Sequence, residues 1–114
     1  MPPDPLELAR LVRDALANLY DPSHLQMHPL ATHLDPPRTP GESAGEALRR
    51  MLREAIEALR PAATLPATRP EWLSYRILLL YYVRALDQQQ LCRELGLSEA
   101  TFYRRLRDAI DAIC

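Results

Sequence analysis

The stretch DQQQLCRELGLSEATFYRRLRDAI, Asp87 to Ile110, carries two helical patterns that meet at Leu95-Gly96-Leu97-Ser98. Asp87 is a favourable N-cap, and Gln90 stands three residues on, where it can close a capping box. The first pattern buries Leu91 and Leu95 at i, i+4 spacing with the small Cys92 beside them. Gly96 tolerates a left-handed backbone and so ends that helix. Leu97 then points to the core and Ser98 caps a second helix with the stripe Phe102, Leu106, Ala109, Ile110 and Ile113. A small residue, a turn glycine four residues later and a capping serine two beyond let two helices cross closely, which predicts a helix-turn-helix.

With its leading apolar segment the run from Arg76, RILLLYYVRALDQQQLCRELGLSEATFYRRLRDAI, resembles region 4 of bacterial sigma factors and the related response-regulator helix-turn-helix domains. Gln90-Leu91-Cys92, Leu95-Gly96, Ser98, Thr101, Arg104 or Arg105, Ala109 and Ile110 or Ile113 stand at the places of that motif. The Ser-x-x-Thr-x-Tyr-Arg-Arg form is also similar to phage and Gram-positive regulators. Gln90 departs from the usual Glu, and Arg105 stands where sigma factors often carry an apolar residue. The resemblance covers the last third of the chain. It implies duplex DNA as partner and transcriptional regulation as role.

The residues of the second helix support the same expectation. With Phe102 and Leu106 facing inward, a step of roughly 100° per residue turns Arg104 outward. The outward face then reads Glu99, Ala100, Thr101, Tyr103, Arg104 and Arg107, with Ser98 at its N-terminal end. A small residue admits close approach to a groove, Arg reads guanine, and Tyr or Thr reaches phosphate or a thymine methyl. Ser98 and the helix N-terminus can donate to phosphate. The competing reading is a solvated polar face on a helix kept for structure alone.

Composition bounds the class. A chain of 114 residues with 47% apolar and 25% charged residues is long enough for a core and is not of the disordered type. Three glycines and abundant Leu, Ala and Arg point to helices throughout. All fourteen basic residues are Arg, and the net charge of −1 excludes a general nucleic-acid scavenger. The charge is uneven: residues 1–68 carry seven Arg against nine acids, and residues 69–114 seven against six, with Arg104, Arg105 and Arg107 clustered. No secretory leader or bilayer-length apolar run is present, so a cytoplasmic protein with no membrane association is expected. Cys92 and Cys114 suggest no disulfide framework.

Outward from the central stretch, the other helices announce themselves by caps. Asp4-Pro5-Leu6-Glu7 opens one through Tyr20, with Leu8, Leu11 or Val12, Ala15 and Leu19 on one face. Asp21-Pro22 starts a short helix, and His28-Pro29 starts another turn or two. Residues 35–42, DPPRTPGE, read as an exposed, mobile loop. Ser43 with Glu46 caps a helix reaching Arg60, with Leu48, Met51 or Leu52, Ala55 or Ile56, and Leu59 inward. Thr68 with Glu71 predicts a further capping box, ahead of a very apolar helix from about Pro70 to Ala85. The expected fold is all-α, a bundle of about six helices ending in the helix-turn-helix. Residues 1–68 are expected to form an N-terminal helical region and 69–114 the DNA-binding region, both within one compact domain by length.

No other chemistry is indicated. His24 and His28 have i, i+4 spacing and His33 follows, but Pro29 breaks the helix and no carboxylate or Cys stands at ligand spacing. No metal site and no cofactor are therefore expected. No nucleophile elbow or phosphate-cradling loop is present, so no enzyme is expected. Trp72, Tyr75, Tyr81 and Tyr82 read as core. Regulators of this size usually pair to read two half-sites, which predicts a homodimer. Rival readings are an interaction or adaptor module that docks a protein through its N-terminal helices, and a small toxin–antitoxin or phage protein.

Overall fold

The computed structural model describes residues 4–34 and 36–113. All regular structure in them is helical: α1 (Pro5–Ala17), α2 (Pro22–Gln26), α3 (Pro29–Leu34), α4 (Ala44–Glu57), α5 (Pro70–Leu78), a π-helical segment (Leu79–Val83), α6 (Gln88–Leu95) and α7 (Glu99–Ile113). The protein is all-α. None of these helices is long and apolar enough to cross a membrane. Backbone contacts group the described residues into two units, 4–55 and 56–113.

In the first unit each short helix begins on an acceptor side chain. Asp4 accepts from the Glu7 amide at 2.7 Å and Asp21 from the His24 amide at 3.1 Å. Helices of five and six residues are too short to stand alone, so burial must hold them. Val12, Ala15, Leu16 and Leu19 are buried, as are Leu25, Leu30 and Ala31 and, from α4, Ala47, Leu48 and Leu52, and α1 packs on α3. The helical stripe expected along α1 gains Leu16, and α1 itself stops at Ala17, before Tyr20.

The proline-rich loop, whose Asp35 lies outside the described residues, is tied down from Pro36 onward. Pro36 is buried. Arg50 Nε donates to Glu42 at 3.1 Å and Arg50 Nη2 to its other oxygen at 2.9 Å, while Nη2 also reaches the Pro37 carbonyl. That forked pairing holds the Glu42 carboxyl at about 2, from an ordinary value of 4.5. A carboxylate so depressed contributes fully above the ordinary range and loses its contribution only as pH falls toward 2. The anchor therefore persists across neutral pH.

In the second unit the expected Thr68 capping box does not form. Pro70 takes the first helical position and leaves Arg69 as N-cap, with no side-chain bond. Proline at that place fixes the start one residue beyond where Thr68 could cap. The apolar run keeps its helical path but widens after Leu78: the Arg84 amide bonds the Leu79 carbonyl, five residues back, at 2.9 Å. Ala85 then adopts φ 55, a left-handed conformation that opposes any β-carbon, and Asp87 caps the next helix. Tyr75, Ile77, Leu78 and Tyr82 are buried from this segment, and α5 packs on α7. Tyr75 donates its hydroxyl to Glu57 at 2.9 Å; burial first, and that carboxylate second, push the phenol above its usual range.

Candidate nucleic-acid interface

The joint between α6 and α7 forms as its residue types dictate. Asp87 accepts from the Gln90 amide at 2.8 Å, and Gln90 reaches back to the Asp87 amide at 3.3 Å, completing the capping box. Gly96 is left-handed at φ 67, and the Gly96 and Leu97 amides both close on the Cys92 carbonyl. A β-carbon at Gly96 would meet nothing within 4 Å, so only the backbone opposes a side chain there. Gly96→Val is therefore expected to cost about 1–2 kcal/mol from conformational strain alone. An unchanged unfolding midpoint in denaturant would contradict this.

Ser98 then caps α7, its Oγ accepting from the Thr101 amide at 3.2 Å with the two hydroxyls 2.9 Å apart. Phe102 is fully buried, and Leu106, Ala109 and Ile110 continue its stripe. Leu97, expected in the core, is only half-buried. The opposite face carries Glu99, Ala100, Tyr103, Arg104 and Arg107, all exposed, with Ser98 exposed at the end and Thr101 half-buried beside it. Among the described residues neither Arg104 nor Arg107 has an ion-pair partner.

Two side chains behave differently from their sequence reading. The Tyr103 hydroxyl donates to Gln88 Oε1 at 2.7 Å, and its ring stacks edge-on to Phe102 with centroids 5.2 Å apart. Tyr103 thus ties α7 to the first residue of α6. Arg105 is half-buried, and its Nε is a buried donor without a partner among the described residues. The burial expected at that place is carried by Leu106, one residue later.

A second cluster of polar side chains lies in the first unit. Asp14 Oδ2 accepts from His24 Nε2 at 3.0 Å and from His28 Nε2 at 2.9 Å. The expectation that no carboxylate stands near these histidines is therefore corrected. Asp14 is ten residues from His24 and fourteen from His28, too far for any spacing rule to pair them, and folding of α1 against α2 and α3 brings them together. The break at Pro29 does not separate the histidines, because His28 turns inward to start α3, its Nδ1 accepting the Leu30 amide at 3.1 Å. The bond from His24 does most to hold the Asp14 carboxyl below its ordinary value; partial burial opposes it and the bond from His28 adds to it. His33 takes no part.

An all-α chain with one helix presenting small, hydroxyl and guanidinium side chains is the class defined by these features. Residues 43–113, more than half of the chain, match the family described as proteins of unknown function, DUF1492, and the protein belongs to that family. The match takes in α4 to α7 and so the whole exposed face of α7, while Asp14, His24 and His28 lie before it. No curated protein and no solved structure matches the chain.

Proposed function

We propose that the protein is a cytoplasmic, sequence-specific DNA-binding regulator that places α7 in the major groove as the second helix of a helix-turn-helix. One observation carries the reading. The buried stripe of α7 fixes its orientation while Ala100, Arg104 and Arg107 stay exposed, the two Arg without acidic partners among the described residues. Ala100 lets the backbone approach base edges. Arg104 offers a planar fork to guanine O6 and N7, and Arg107, nearly one turn later, meets phosphate. Ser98 and Thr101 hold the helix start, Tyr103 braces α7 against Gln88, and Glu99 discriminates against misplaced phosphate. Pairing of two protomers on adjacent half-sites belongs to the same proposal.

Polarisation titrations of labelled duplexes test it. Arg104→Ala is expected to weaken the preferred sequence by about 1–3 kcal/mol and relax preference at one base pair. Arg107→Ala is expected to weaken all sequences alike and flatten the slope of log K against log salt by about one. Saturation should fall at two protomers per duplex. Folded variants that bind like the parent would overturn the proposal. An adaptor role would then take its place, with the exposed Leu6 and Met27 of the first unit as the surface to examine.

A further inference from the structure

We infer that Asp14, His24 and His28 form a binding site for a divalent transition cation of the zinc class. The three donor atoms, one carboxylate oxygen and two imidazole nitrogens, lie within 4.8 Å of one another. Both Nε2 atoms converge on the same oxygen, at 3.0 and 2.9 Å. Around a tetrahedral zinc with bonds of about 2.0–2.1 Å, neighbouring donors stand about 3.3 Å apart. Each imidazole nitrogen must therefore draw back from the carboxylate oxygen by a few tenths of an ångström, while the two nitrogens, within 4.8 Å of each other, adjust to the same spacing. Two imidazoles with one carboxylate suit zinc, copper or nickel; magnesium and calcium prefer all-oxygen sets.

Burial divides the site usefully. The His28 side chain is 2% exposed and therefore fixed, whereas His24 and Asp14 are 40% and 52% exposed and can adjust. The solvent side leaves the fourth coordination position to water or to a ligand from solution.

The resting proton positions set a condition on loading. Because His28 Nδ1 accepts the Leu30 amide, neutral His28 carries its hydrogen on Nε2 and donates it to Asp14. A cation needs the Nε2 lone pair. The Nε2 proton must then leave to solvent while Nδ1 takes one up, and the Leu30 N–H gives up its acceptor. Metal binding is thus coupled to release of the bond that starts α3, and the affinity should be on the order of micromolar, weaker than that of closed structural zinc sites. A simple hydrogen-bonded staple between α1 and the histidines would show neither binding nor this coupling.

Zinc titration of the full chain, followed by calorimetry and by the amide resonances of the ¹⁵N-labelled protein, tests the inference. The parent should bind one zinc at this site, shift the Leu30 amide on loading, and ignore magnesium at the same concentration. The more exposed ligands give variants that keep the fold: His24→Ala and Asp14→Ala should each weaken zinc by about tenfold or more, with melting curves confirming folding. No zinc binding by the parent, parent-like zinc affinity in either folded variant, or loading without a Leu30 response would each overturn the inference.

Discussion

Phe102→Ala is expected to destabilise the protein by about 3–5 kcal/mol, the largest loss of any single truncation considered for this fold. The ring is fully buried, and it meets Tyr81 edge-on at 5.3 Å and Tyr103 at 5.2 Å between centroids. Its removal leaves a cavity between the π-helical segment and α7 and loosens Tyr103, which braces α7 on α6. The thermal midpoint should fall by roughly 10 °C or more. Any loss of DNA affinity in this variant follows from unfolding of α7. A midpoint within a degree or two of the parent would mean that α7 does not pack through this ring.

Gly45→Ala is the second large effect, and its sign is the informative part. At an exposed helical site this change stabilises by about 1 kcal/mol, because alanine is the better helix former. At Gly45 a β-carbon would stand 2.6 Å from the Pro22 carbonyl oxygen and 2.9 Å from the Gln26 amide nitrogen. Both are backbone atoms of α2, so no side chain can swing aside. Forced separation of packed elements typically costs about 1–3 kcal/mol, which leaves a net loss of up to about 2 kcal/mol after the propensity gain is subtracted. Urea unfolding of Gly45→Ala should therefore give a lower midpoint. A higher one would show that α4 does not approach α2 this closely.

What was legible in the sequence was what short-range chemistry determines. The Asp4, Asp21 and Asp87 caps, the Gln90 return bond, the left-handed Gly96 and the Ser98 cap each join residues three or four apart, and each forms. The inward stripe of α7 follows the helical period from Phe102 to Ile110. Thr68 failed as a cap because Pro70, two residues on, fixed the start later. Local cues give out where the determinant is remote. Gly45 carries no local signal of the close approach of α2 against it. Tyr103 reads as a free outward aromatic until Gln88, fifteen residues earlier, accepts its hydroxyl. His24 and His28 read as a broken chelate until α1 delivers Asp14. The π turn over Leu79–Val83 leaves no mark in an unbroken apolar run, since widening one turn changes neither composition nor hydropathy. What the α7 face meets was equally beyond reach, because spacing fixes which side chains point outward and not what they touch.

The most direct test of DNA binding is a polarisation titration of the parent protein on random-sequence duplex at two salt concentrations. Each phosphate neutralised by Arg contributes about −0.9 to the slope of log K against log salt. If two protomers pair with Arg107 of each on the backbone, as proposed, a slope of about −2 or steeper is expected. No binding at the lower salt, or an affinity indifferent to salt, would contradict placement of α7 against DNA.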